Sequence, residues 1–145
     1  MTPQYDELIA VLEKEFELCT KMVALLQKEK DVIISLDPAS LEQLLRDKET
    51  VIASIRLCDE SRERILTSLG FKDRTLFEVA QAVEDDYRDR LNGLASKFKA
   101  IVCSISELNR FNSILIDKSL QYVRTSHNFL DSLGVQPQRK VSMEV

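Results

Sequence analysis

Glycine and proline are scarce in this chain, three of each in 145 residues; there is one histidine, no tryptophan, and no apolar run longer than the five residues from Met22 to Leu26. So few backbone breakers exclude a turn-rich sheet protein, and the abundance of Leu, Glu, Lys, Ala and Arg points to an all-α fold of long helices. The longest apolar run is far below the roughly 20 residues that span a bilayer, so no membrane span is expected. The first fifteen residues carry Asp6, Glu7, Glu13 and Glu15 and lack the basic and apolar regions of a secretory signal, which makes the expected location cytoplasmic.

The absence of catalytic groupings is equally informative. A catalytic or metal site needs several titrating or ligating groups together, and one histidine, no close cysteine pair and no glycine-rich phosphate loop supply none. No enzyme is expected, and no cofactor or metal. Cys19, Cys58 and Cys103 are odd in number and far apart, which reads as reduced thiols, the first two on apolar seams and Cys103 more exposed. His127 shares a stripe with Val123 and Leu130 and is expected to be a partly buried structural histidine. Glu84, Asp85, Asp86 and Asp89 are explained by a helix start, where acids are favoured. A net charge of -4 offers no concentrated basic surface for nucleic acid, so the expected partners are proteins.

What is there is helical periodicity. Thr2-Pro3 opens a first helix, in which Ile9, Leu12, Phe16, Cys19, Val23, Leu26, Lys30 and Ile33 recur at threes and fours. Leu8, Val11, Leu18, Met22 and Leu25 widen that seam enough to touch two neighbours. Asp37-Pro38 repeats the start signal, so the first helix ends near Ser35 and a second runs back antiparallel. Its seam is Leu41, Leu44, Lys48, Val51, Ile55, Cys58, Arg62, Ile65 and Leu69, with Gly70 as the left-handed stop. Lys48 and Arg62 are read as long side chains laying their stems over the core edge. Thr75 to Glu78 is a capping-box pattern opening a short helix to about Val83.

From Asp85 to Leu133 the pattern stays helical, with Asn109, Asn112 and Ser113 as weak formers where a hinge would fall and a change of seam after Asn112. At roughly 1.5 Å per residue the first two helices are about 45 Å long and the last about 70 to 75 Å, so one end overshoots the hairpin. The expected projection is Ile116 to Leu133. It carries Ile116, Leu120, Val123 and Leu130 on one stripe, and Tyr122, Phe129 and Leu133 on a second that begins at Phe111 and Leu115. An apolar surplus of this size on a polar chain marks a binding surface. The expected architecture is thus an antiparallel hairpin, a short helix and a long C-terminal helix, a three-helix coiled-coil-like bundle over 1–134 with a protruding end. Residues 135–145, without periodicity, read as a disordered tail.

Leu41-Glu42-Gln43-Leu44-Leu45-Arg46-Asp47-Lys48-Glu49, then Thr75-Leu76, then Leu108-Asn109-Arg110-Phe111-Asn112 leading into Ser119-Leu120-Gln121-Tyr122-Val123, resemble the FlgN flagellar export chaperones. The resemblance covers almost the whole chain. It implies a cytoplasmic, non-catalytic chaperone of the flagellar type III secretion pathway that binds the terminal helical segment of hook-filament junction proteins through a region corresponding to about 109–133. It further implies docking on the export gate or its ATPase. The residues expected to meet a partner are Phe111, Leu115, Ile116, Leu120, Tyr122, Val123, Phe129, Leu130 and Leu133. Periodicity alone leaves one alternative open, a structural coiled coil whose surplus stripe serves self-association as a homodimer or longer bundle.

Overall fold

The computed structural model describes residues 2–134, which form four helices and no strand: α1 (Thr2–Ser35), α2 (Pro38–Ser68), α3 (Leu76–Ala82) and α4 (Asp85–Ser132). Met1 and the tail expected to be disordered, 135–145, lie outside the described residues. α1 is the central rod. Its backbone lies against both α2 and α4, α3 packs on α4, and no Cα of α2 comes within 8 Å of one in α4. The three long helices therefore make a trough with α1 as its floor, closed at one end by α3, where Leu8, Ile9, Leu12, Ile65, Val79 and Leu91 share one apolar cluster.

Each boundary has a chemical cause. Leu36 carries the chain out of α1 at φ +56, a left-handed conformation that costs a residue with a Cβ roughly 1–2 kcal/mol. Asp37 then caps α2, its carboxylate accepting from the amides of Ala39 and Ser40 and from the Ser40 hydroxyl, with Pro38 in the first turn. α2 stops at Gly70, φ +86, where the Phe71 amide reaches back to the Leu66 carbonyl in a Schellman-type closure. The expected capping box is present: Thr75 Oγ1 accepts from the Glu78 amide, and Glu78 Oε1 accepts from the Thr75 amide, both at 3.1 Å.

The seam of α1 differs from the expected one by a rotation of about one residue. Leu8, Leu12, Glu15, Cys19, Met22, Leu26, Glu29 and Ile33, spaced alternately four and three, are all buried. Two of these seam positions hold carboxylates. Phe16, Val23 and Lys30 belong instead to the flank facing α4, with Phe16 edge-on to Phe98 at 5.8 Å and Lys30 above the Phe111 ring at 5.7 Å. A wide apolar face on α1 served two neighbours, as expected, but acidic residues were left out of it because a carboxylate alone is a poor core residue.

Their partners correct the reading of Lys48 and Arg62. Lys48 Nζ donates to Glu29 Oε2 at 2.9 Å, and Arg62 Nη1 donates to Glu15 Oε1 at 3.0 Å, with both glutamate side chains almost fully buried. Lys48 neutralises the Glu29 carboxylate and Arg62 bonds to Glu15 and Asp59 together, so both cations serve buried acids of the hairpin rather than merely draping their stems over its edge. Glu15 and Glu29 are two heptads apart, as are Lys48 and Arg62, so a single antiparallel register satisfies both pairs. Slipping it would strand the buried Glu29 carboxylate without its cation and break the Glu15–Arg62 contact.

α4 is one continuous helix across Asn109 to Ser113, without the hinge that its weak formers allowed. Asn112, only 2% exposed, faces inward: its Nδ2 donates to the Leu26 carbonyl and to Glu29 Oε1, both at 2.9 Å. Asn112, Glu29 and Lys48 thereby tie all three long helices at one level. The Asn112 Nδ2 makes both bonds while its Oδ1 is buried without a partner.

Candidate partner-binding surface

α4 runs parallel to α1, with Tyr87 beside Tyr5 at 5.2 Å, Phe98 beside Phe16 and Asn112 beside Leu26. α1 ends at Ser35, so α4 must outrun it. At 1.5 Å per residue α1 is about 51 Å long and α4 about 72 Å. The overshoot expected from length is real, but it starts later than expected. Ile116, Ser119, Leu120 and Val123 still face the hairpin end, lining a cavity of about 250 Å³ with Val32, Ile33, Leu36, Asp37, Pro38 and Leu41. The turn itself extends the hairpin past the last residue of α1, which helix lengths alone do not register. Only the stretch from Arg124 onward stands clear; there every described residue except Ser126 is exposed.

The helix geometry sorts the nine expected contact residues onto two faces. Ile116, Leu120, Val123 and Leu130 share the face turned toward the hairpin end, and Leu130, beyond the cavity, is 41% exposed. Phe111, Leu115, Tyr122, Phe129 and Leu133 lie about a quarter turn or more away, on the outer side of the α1–α4 pair. There Phe111 joins Val23, Gln27 and Leu108 around a separate shallow depression. Tyr122 at 72%, Phe129 at 61% and Leu133 at 61% are among the most exposed large side chains of the protein. The stripes are real, and they form two neighbouring surfaces rather than a single patch.

His127 is a correction. Its ring is exposed at the projecting end, with Nε2 3.4 Å from Asp131 Oδ2 one turn on, because the overshoot leaves nothing to cover it. Leu36, Pro38 and Leu41 form a wall of the cavity that sequence reasoning did not assign to a surface. The usable signal was the apolar run Val32-Ile33-Ile34 continuing to Leu36 at a helix end, where polar residues are the rule.

The polar chemistry elsewhere is structural. Glu15 is held by Arg62, whose other nitrogen pairs with Asp59 at 3.0 Å. Burial is the main reason that the Glu15 carboxyl is pushed up to about 8, with a hydrogen bond to Asp59 adding to it and Arg62 opposing it. Two carboxylates thus share one guanidinium and one proton. Cys19 and Cys58 are buried beside this cluster, and burial raises both thiols above their ordinary range, the opposite of an activated nucleophile. Cys103 is exposed, as expected. A groove of about 420 Å³ between α2 and α4 is lined by Arg62, Leu66, Arg74, Phe77, Phe98 and Val102 among others. Among the described residues no group of three or more His, Cys, Asp or Glu is placed to hold a metal ion, and no helix is long and apolar enough to cross a membrane.

This arrangement, a bundle locked by buried polar contacts and a long helix carrying apolar side chains past it, suits binding to another protein. A profile of the FlgN protein family matches residues 1–139, and the chain belongs to that family, whose members are flagellar export chaperones. No curated protein and no solved structure matches the chain.

Proposed function

We propose that this FlgN-family chain binds the terminal helical segment of hook-filament junction proteins and delivers them to the flagellar type III secretion apparatus. The carrying observation is α4 beyond the hairpin: a helix formed through Ser132 that presents Phe129, Leu130 and Leu133 to solvent. A disordered binding segment would have to be ordered at roughly 1–2 kcal/mol per residue, enough to cancel the gain from burying its apolar side chains. Here the helix exists before the partner arrives, so that cost is absent. An amphipathic helix from the substrate docks against the stripe in the helix-in-groove manner.

Magnitudes set the extent of the surface. Burying Phe129, Leu130 and Leu133 contributes about 5 to 9 kcal/mol. Association itself costs about 4 to 15 kcal/mol in lost translational and rotational freedom. The free end alone leaves almost no net affinity, so the bound segment reaches back toward Tyr122, Val123 and the residues before them.

Titration calorimetry of the full chain with the hook-filament junction protein of the same organism tests this reading. Phe129→Asp and Leu130→Asp each remove about 1.5–3 kcal/mol of apolar contact and bury a charge besides, so affinity should fall at least 100-fold. Thermal unfolding should be unchanged, since both side chains lie outside the bundle. Global unfolding by either substitution would refute the division between scaffold and surface, and a concentration-dependent oligomer without substrate binding would favour self-association.

A further inference from the structure

The cavity at the hairpin end is the wrong size and chemistry for a small molecule. Its volume of about 250 Å³ lies below the roughly 300–1,000 Å³ of ligand pockets. Its walls are aliphatic, with Val32, Leu36, Pro38 and Leu41 on one side and Leu120 and Val123 on the other. The two polar side chains at its edge are Ser119 and Asp37, and the Asp37 carboxylate is already occupied by the Ala39 and Ser40 amides and the Ser40 hydroxyl. That leaves the Ser119 hydroxyl as the one polar group in the lining not already engaged by its own helix cap. What such a recess accepts is aliphatic side chains projecting from a docked helix.

We propose that the α1–α2 turn is the second wall of the substrate groove: the exported segment lies in the corner between the turn and α4, with its aliphatic side chains inserted between Leu36 and Leu120. Three observations converge on this. The cavity-facing stripe of α4 continues past the exposed His127 to Leu130, so one helix can contact both the recess and the free end. The free end by itself is too small a surface for stable capture, and the recess is the apolar area adjoining it. Leu36 occupies a left-handed position that asparagine or glycine would fill with less strain, yet it holds a large apolar side chain 60% exposed at the cavity mouth. The occupant is thus an amphipathic helix that is aliphatic along one face, the chemistry of a coiled-coil-like terminal segment. This inference rests on the export-chaperone reading and adds the turn to its binding surface.

Leu36→Asn separates a binding role from a structural one, because asparagine suits the left-handed backbone but removes the apolar wall. With the full chain and the same full-length junction protein as probe, Leu36→Asn should bind about 5- to 30-fold more weakly while melting at or above the wild-type temperature. Leu36→Met, which keeps the apolar surface, should bind within about threefold of wild type. In the wild-type complex, amide hydrogen exchange across Val32 to Leu41 should slow on binding. Wild-type affinity in Leu36→Asn together with unchanged exchange there would overturn the second wall, and a simultaneous loss of binding in Leu130→Asp would leave the α4 reading standing. Failure of the wild-type chain to bind the junction protein would take down both.

Discussion

Glu15 should make this protein less stable as the solution becomes more alkaline, the reverse of what a salt-bridged carboxylate ordinarily does. The side chain is 5% exposed and shares Arg62 with Asp59. Its carboxyl titrates at 4.5 when unperturbed and at about 8 in the folded chain. Between those values the folded protein holds a proton that the unfolded chain has released, so unfolding becomes easier with each increment of pH. The stabilisation is complete below about pH 4.5 and is lost as pH rises through about 8. At 1.36 kcal/mol per pH unit, roughly 4 kcal/mol disappears between pH 5 and 9, equivalent to a fall in Tm of about 15 °C for a chain of this size. Asp37, held low chiefly by the Ser40 hydroxyl, and Glu78, held low chiefly by the Thr75 amide, act in the opposite sense, but only under acidic conditions below this window. Glu15→Gln keeps a neutral hydrogen-bonding group at the same place and cannot ionise. Circular dichroism melts from pH 5 to 9 should show the wild-type Tm falling and the Glu15→Gln curve nearly flat. A wild-type Tm that rises between pH 5 and 8, or a variant that follows the wild-type slope, would refute the protonated cluster.

Two further outcomes follow from the same framework. Lys48→Met strands the buried Glu29 carboxylate with only Asn112 and should cost about 3–5 kcal/mol in urea unfolding, while adding Glu29→Leu should recover most of that loss; a double variant no better than the single would mean that the charge is not what destabilises it. Gly93→Ala in the interior of α4 should raise Tm by about 3 °C, because alanine gains roughly 1 kcal/mol of helix propensity and a Cβ there meets no atom within 4 Å.

The helix boundaries were legible in the sequence because their signals are local. Asp37-Pro38, Gly70 and Thr75 to Glu78 act through bonds to backbone groups within a few residues, and the structure places all of them as read. The family was legible too, from short motifs spread along nearly the whole chain. Glu15 and Glu29 were not. A glutamate at a seam position looks like a surface residue until the cation opposite it is known, and that cation is 47 residues away for Glu15 and 19 for Glu29. The place of Asn112 at the end of the α4 seam was legible, but its bonds were not: low helix propensity is a property of the residue, whereas its bonds to α1 belong to the pairing of α1 with α4.

The amino-acid sequence by itself determined that this is an all-α protein of long rods, that the last rod outruns the others, and that the excess carries apolar stripes. These follow from periodicity, capping and a fixed rise per residue, which require no knowledge of what packs on what. Only the tertiary structure decided where the overshoot begins, that its two stripes face different ways, and that the α1–α2 turn stands opposite one of them. Those facts depend on the relative rotation and offset of α1, α2 and α4. That alignment is held by Glu15–Arg62, Glu29–Lys48 and Asn112, pairings between distant residues that no local pattern encodes.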